Sequence, residues 1–406
     1  MTVTLAIQKT VYGGDGLGRL GDGRVCFVPG AYAGETVRAE IVEQKKRFVK
    51  ARLVEIVEPI PDRLAPDPSR VSVPGMAYAD VTHEAELRFK QDQLENFLWK
   101  VASEVLPLEV VPSDAALNYR NKVTYHTQRQ GGRWLVGYRR ELSHDVVDVA
   151  EDPLARPEIN AALPGVRAGV TALLTQGAAG VRRAAAADDV TVRWTPIDGV
   201  KWWLGAPPPG LELHEQTCGM RFVVPGDGFW QVNPGIAGKL AAAVREAYLA
   251  GAEDAPNILD LYCGVGVLGL LCLKGAAGGE GVPRLVGVES GKAAISFAKR
   301  NAAQAGLAAN FFCERVGGSL GRIKVGPRHT VILDPPRGGL EPNVAPWLAN
   351  RAAPRVFYVS CDPATLARDL QALMPAYRIV RVKMFDMFPR TARFETFVEL
   401  ARRRTA

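Results

Sequence analysis

The stretch Asn257-Ile258-Leu259-Asp260-Leu261-Tyr262-Cys263-Gly264-Val265-Gly266-Val267-Leu268-Gly269 decides how the C-terminal half of this chain folds. Ile258 to Leu261 reads as a buried strand, and the glycines that follow read as a turn where backbone approaches a ligand closely. Downstream, apolar runs at Leu285 to Val288, Val331 to Leu333 and Val356 to Val359 alternate with helical stretches. One of these is Lys292 to Ala305, where Ile295, Ala298, Ala302 and Ala305 line one side and Gly306 supplies a stop. Such alternation builds a doubly wound parallel sheet, with ligands beyond the carboxyl ends of its strands. Glu289, just past the second strand, is placed to accept hydrogen bonds from two ribose hydroxyls. The glycine pattern is also a formal match to a dinucleotide fingerprint. By itself it leaves nicotinamide and S-adenosylmethionine cofactors both open.

Upstream the character differs. In the first fifty-odd residues, β-rich runs (Val3 to Ile7, Val25 to Phe27, Thr36 to Ile41, Phe48 to Ile56) are separated by glycine-rich turns, the signature of a small β-barrel. Glu58 to Pro74 is rich in proline and reads as a linker. Glu84 to Val105 is helical, with Leu87, Leu94 and Leu98 roughly on one face. Strand patterns follow at Lys122 to Gln128, Trp134 to Arg139, Val190 to Trp194 and Lys201 to Leu204, with an Ala-rich helix around Ala161 to Ala187. At 406 residues the chain is too long for one core. The expected division is 1–57, 58–227 and 228–406, a multidomain α/β protein with a barrel, a central α+β domain and a Rossmann-like domain.

A formal charge of +7 leans toward a polyanionic partner. Lys45, Lys46, Arg47, Lys50 and Arg52 cluster in the barrel, and Arg402, Arg403 and Arg404 near the C-terminus. Six scattered cysteines without a CxxC pair argue against a disulfide scaffold and a zinc site. No apolar run reaches the length of a membrane span, and no signal segment follows Met1. The expectation is a cytoplasmic monomer with no membrane partner and no metal.

Two further strand ends carry reactive residues. Asp334-Pro335-Pro336-Arg337 ends the strand Val331 to Leu333. Methyltransferases acting on exocyclic amines have an aromatic residue after the two prolines; Arg337 stands there, against an amino-base substrate. Tyr358-Val359-Ser360-Cys361-Asp362-Pro363 puts a cysteine at a position facing the crevice, whereas Cys26, Cys218, Cys272 and Cys313 read as core fillers. Uridine C5 is too weak a nucleophile to take a methyl group unaided. A thiolate adding at C6 makes C5 enolate-like, after which a base must remove the C5 proton. Asp362 raises the thiol pKa, so positive charge from Arg337 or Arg368 is called for. Asp386 and Glu395 are the carboxylates available as base.

Taken in order, Tyr119-Arg120-Asn121-Lys122, Phe229-Trp230-Gln231-Val232-Asn233, Asp260 to Gly264, Asp334 to Arg337, Val359-Ser360-Cys361 and Phe388-Pro389 through Glu395 resemble the landmarks of the RNA 5-methyluridine methyltransferase family. The first domain resembles its TRAM barrel. The resemblance implies S-adenosylmethionine as cofactor, held by Gln231, Tyr262, Gly264, Glu289 and Asp334, with Cys361 as nucleophile and Glu395 as base. It implies RNA as partner, 23S rRNA ahead of tRNA. Many relatives carry a four-cysteine iron–sulfur cluster, but Val71 to Asp80 contains no cysteine and Asp152-Pro153 stands where the fourth would lie, so no cluster is expected. Arg393 stands where relatives often have histidine. Rival readings are a nicotinamide-dependent oxidoreductase, which leaves Cys361 idle, and a non-catalytic RNA-binding protein, which leaves the reactive residues unexplained.

Overall fold

Five strands close the N-terminal barrel in the computed structural model, which describes residues 1–67, 70–102, 106–140, 143–176, 189–276 and 284–403. They are β1 (Thr2–Thr10), β2 (Gly16–Arg19), β3 (Val25–Val28), β4 (Thr36–Gln44) and β5 (Phe48–Glu58), in the order β1-β2-β3-β5-β4 with β4 returning to β1. Alternating residues such as Leu5, Ile7, Val37 and Ala39 fill its core with Cys26 and Val49. The glycine-rich run that reads as turn contains β2. A Cβ on Gly16 would lie 2.5 Å from the carbonyl oxygen of Ala31, so this glycine serves close backbone packing inside a strand.

The proline-rich segment is not a free linker. Arg63 pairs with the buried Glu35 at 2.7 Å, and its guanidinium lies 4.8 Å over the Tyr32 ring. Tyr32 in turn stacks on Phe89 of helix α1 (His83–Ala102). The prolines remove backbone donors but not packing, and a satisfied guanidinium fastens the segment to the barrel.

The middle of the chain forms an antiparallel sheet. Its strands are β7 (Lys122–Gln130), β8 (Arg133–Arg139), β9 (Val146–Asp148), β10 (Asp189–Thr195) and β11 (Gly199–Leu204), ordered β11-β10-β7-β8-β9. Helix α2 (Pro157–Gln176) covers one face through Ile159, Leu163, Val166 and Val170. Residues 177–187 of the expected Ala-rich helix, and 103–105 of the helix before it, lie outside the described residues. The hairpin β12 (Glu212–Thr217) and β13 (Met220–Pro225) leads into the last part of the chain. A buried pair, Arg193 to Glu215 at 2.8 Å, ties it to β10.

The largest sheet has eight strands in the order β16-β15-β14-β17-β18-β20-β19-β6. They are β14 (Asn257–Leu261), β15 (Leu285–Glu289), β16 (Ala309–Cys313), β17 (His329–Leu333), β18 (Arg355–Ser360), β19 (Tyr377–Phe385), β20 (Glu395–Arg402) and β6 (Leu108–Val111). Only β20 pairs antiparallel to both neighbours. One face packs on α3 (Pro234–Leu249), α4 (Val267–Ala276) and α5 (Lys292–Gln304) through Leu240, Val244, Leu270 and Ile295. The other face packs on α7 (Val344–Ala349), α8 (Pro363–Leu373) and, from much earlier in the chain, α1. A short turn of helix, α6 (Val316–Ser319), follows β16. Strand order reverses between β14 and β17, and a crevice at such a switch point is where doubly wound sheets bind ligands. In the basic C-terminal cluster, Arg402 reaches the Ala349 carbonyl, and Arg403, though exposed, reaches those of Met374 and Tyr377. Arg404 is outside the described residues. No helix among the described residues is long and apolar enough to cross a membrane.

Candidate active site

A cleft of about 990 Å³ opens at the carboxyl ends of β14, β15, β17 and β18, and Gln231, Tyr262, Gly264, Glu289, Asp334, Cys361 and Glu395 all line it. Positions spanning 165 residues of sequence thus share one wall. Each is placed by a strand end or a helix start. After β14, Tyr262 takes φ +64° and Gly264 and Gly266 take +54° and +86°, which turns the chain sharply into α4. Beneath the turn, Asp260 accepts a hydrogen bond from the Gly269 amide at 3.0 Å. Burial pushes Asp260 up to about 8, with Asp334 and Glu289 adding to the rise. Glu289 accepts from the Gly291 amide at 2.7 Å and the Ser290 hydroxyl at 3.0 Å through the same oxygen, which orients its carboxylate. Gln231 precedes Asn233, the N-cap of α3, whose side chain accepts from the Ile236 amide.

Cys361 follows β18, and Asp362 caps α8 by accepting from the Ala364 and Thr365 amides at 3.0 and 3.1 Å. The cap and Pro363 stop the strand and leave the thiol half-exposed. Burial, Glu395 and Asp334 push the thiol up to about 11; Arg337 opposes them and Asp362 adds to the rise. Arg368 is committed elsewhere, to Asp369 and the Gly338 carbonyl, so the positive charge acting on this thiol is Arg337. Asp334 is raised to about 7 by burial alone. Glu395, 3% exposed, is raised well above its ordinary value by burial and the neighbouring Asp334, against Arg337. Among the described residues its carboxyl has no hydrogen-bond partner. A buried, unpartnered carboxyl facing a cleft is poised to take up or release a proton.

The second candidate base is removed from the cleft. Asp386 is fully buried, 2.7 Å from Nζ of Lys90 and 2.7 Å from Nε2 of His83. Burial pushes its carboxyl up, but the Lys90 charge and the His83 hydrogen bond outweigh that and hold it below its ordinary value. Lys90 also contacts Glu86 at 2.6 Å and the Phe388 carbonyl at 3.2 Å. Glu86 accepts from the Arg390 amide at 2.8 Å, and Tyr119 donates to the Pro389 carbonyl at 3.0 Å. This buried cluster therefore pins the loop from Asp386 to Phe394 that delivers Glu395. The sequence carried no sign of it, since Lys90 sits in an ordinary amphipathic helix.

Three other residues depart from expectation or were passed over. Cys313 is exposed at the end of the edge strand β16 and is no core filler; Cys218 is half-buried and packs against the edge of the core that Cys272 fills, as Cys26 fills that of the barrel. Phe229 is 73% exposed at the rim of the cleft, next to the buried Trp230.

Comparison with known proteins decides the class of chemistry. Residues 321–403 match the family described as tRNA (Uracil-5-)-methyltransferase, and residues 1–54 match the TRAM domain. An RNA methyltransferase of Thermotoga maritima is 30% identical over an alignment 450 positions long, gaps included, covering 99% of both chains. A 23S rRNA (uracil(1939)-C(5))-methyltransferase of Klebsiella pneumoniae is 30% identical over an alignment of 435 positions, covering 99% of this chain and 96% of the relative. The chain belongs to the RNA uracil-C5 methyltransferases. The crystal structure of Pyrococcus abyssi tRNA (uracil-54, C5)-methyltransferase with S-adenosyl-L-homocysteine shares the fold, with a TM-score of 0.73 at 23% identity over 98% of this chain and 99% of that one. This uracil-C5 methyltransferase acts on RNA and uses S-adenosylmethionine, and its first five strands are a TRAM barrel.

Proposed function

We propose that this methyltransferase modifies a uridine of 23S rRNA through a covalent adduct between Cys361 and C6 of the target base. The observation that carries the reading is the meeting, in one cleft beside the glycine loop, of a half-exposed thiol and an unpartnered buried carboxyl. Gln231, Tyr262, Gly264, Glu289 and Asp334 hold S-adenosylmethionine. The fit is chemical: positive-φ glycines bring backbone close, an oriented Glu289 carboxylate suits vicinal hydroxyls, and Asp334 and Glu395 suit a cation. When bound, the cofactor supplies an electrophilic methyl and a positive charge beside these acids. The chain's own work is at the base. The Cys361 thiolate forms a bond to C6, and the electron pair of the C5–C6 double bond moves toward C5 and O4. C5 can then accept the methyl. Glu395 removes the proton left on C5, the double bond re-forms, and the thiolate leaves C6.

RNA carrying 5-fluorouridine at the target is expected to trap the enzyme, because fluorine cannot leave as a proton does. A denaturing gel should show an adduct that requires S-adenosylmethionine and disappears in Cys361→Ala. A full-strength adduct in that variant would remove Cys361 from its role. The 23S rRNA reading rests on the relatives at 30% identity and is tested by mapping 5-methyluridine in RNA from a deletion strain. If the missing methyl group lies in tRNA, the rRNA assignment fails and the chemistry stands.

The TRAM barrel presents Lys45, Lys46 and Arg47 at the exposed tip between β4 and β5. Neutralising all three is expected to weaken RNA binding and to reduce the salt slope by about one for each phosphate no longer neutralised. Cofactor affinity should hold, since the glycine loop is elsewhere. An unchanged salt slope would show that this tip does not touch RNA.

No iron–sulfur cluster is proposed. The two segments where relatives carry its cysteines do meet, but through apolar packing: Val73, Tyr119 and Leu154 form one buried cluster, with Met76 and Tyr138 against it. The Asp152 carboxylate takes the Tyr138 hydroxyl at 2.6 Å and the Leu154 amide at 2.9 Å. Anaerobically purified enzyme should be colourless; stoichiometric iron and sulfide would overturn this.

A further inference from the structure

The barrel and the reactive turn meet at one side chain. Tyr12, between β1 and β2, has its hydroxyl 3.5 Å from the carbonyl oxygen of Cys361 and 3.5 Å from Oδ2 of Asp362. The same hydroxyl accepts from Nη1 of Arg393 at 2.6 Å. That guanidinium lies 5.1 Å over the Tyr12 ring and 3.6 Å from the Asp362 carboxylate. The ring is held edge-on by Phe97 of α1 and by Phe394, the residue before Glu395. A residue of the RNA-binding barrel thus contacts both the segment that carries the thiol and the segment that carries the carboxyl.

We propose that Tyr12 is a positioning residue for catalysis: with Arg393 it clamps the Cys361–Asp362 turn against the start of β20, so that the docked barrel completes the active site. The inference rests on Cys361 being the nucleophile. Two physical effects follow from the clamp. The backbone at Cys361 is held from outside the methyltransferase sheet, which fixes where the thiol points. Arg393 also stands against the Asp362 charge. Asp362, Glu395 and Asp334 all work against the thiolate, and Arg337 works for it; an Arg393 released by removal of the Tyr12 hydroxyl would leave Asp362 less compensated. A barrel that only tethered RNA would contribute to affinity alone. A barrel that clamps the turn contributes to the chemical rate at saturating RNA.

Tyr12→Phe separates the two, because phenylalanine keeps the ring contacts and removes the hydroxyl. Rates of methyl transfer on uridine RNA and of adduct formation on 5-fluorouridine RNA would be measured in single turnovers at saturating RNA. The expected result is a fall of about tenfold or more in both, since small misplacements of reacting groups cost up to about a hundredfold, with RNA Kd and Tm unchanged. A wild-type rate in Tyr12→Phe, or a loss confined to RNA Kd, overturns the proposal. If Tm falls as well, Arg393→Gln, which leaves the barrel intact, carries the test with the same two outcomes. Failure of the wild-type enzyme to form any adduct would instead remove the nucleophile reading, and this inference with it. That result is distinct from a wild-type adduct that Tyr12→Phe forms equally fast.

Discussion

Glu395→Gln is expected to transfer one methyl group and then stall, accumulating a methylated protein–RNA adduct on ordinary uridine RNA. In the proposed mechanism the thiolate adds and C5 is methylated before the carboxyl is needed. The amide is nearly the same size and fits the same buried position, but it cannot accept the C5 proton, so the thiolate cannot be eliminated. Loss of a general base costs about 10²–10⁴-fold in turnover. The raised pKa of Glu395 suits this role: a carboxyl held well above its ordinary range by burial and Asp334 is a stronger base than a surface glutamate. S-adenosylmethionine binding should persist. Gel analysis of the adduct and single-turnover counting of methyl groups check the result. Normal turnover would return Glu395 to a structural role, and Asp386 could not replace it, because it does not line the cleft and is bound to Lys90 and His83.

Lys90→Met is expected to destabilise the protein by about 3–5 kcal/mol, because it leaves Glu86 and Asp386 buried without their shared cation. Burial would lower the Lys90 ammonium, but the two carboxylates outweigh that and hold it raised. Without the cation, burial would lift both carboxyls above their unfolded values. A carboxyl raised in the folded state loses stability as pH climbs from its unfolded toward its folded value. The deficit against wild type should therefore be small in acid and grow toward neutrality, as denaturant midpoints measured across pH would show. Because Lys90 also holds the Phe388 carbonyl, activity should fall more than the folded fraction does. Equal stability of variant and wild type at neutral pH would show that the cluster is not a structural pin.

Much of this protein is legible without coordinates. The strand–helix alternation from Ile258 onward carries its own periodicity, and each strand predicted there is present. The glycine loop, Asp334 and Cys361 announce themselves because each directly follows an apolar run, where a doubly wound sheet places its ligands. What escaped reading has physical causes too. β2 is hidden by glycines that serve packing, β6 and β19 by mixed polarity at the far end of the sheet, and β16 by its exposed edge.

Sequence by itself determined the class of fold, the end of the sheet where the cleft opens and the cysteine that lines it, because these depend on local periodicity and on residues next to strand ends. Only tertiary structure separated Asp386 from Glu395, burying the first against Lys90 and placing the second in the cleft, since the two stand nine positions apart and differ in what reaches them from α1. Only it brought Tyr12 to Cys361, 349 residues away. Burial and long-range pairing set the charge of a carboxyl, and no local pattern encodes which distant lysine will arrive.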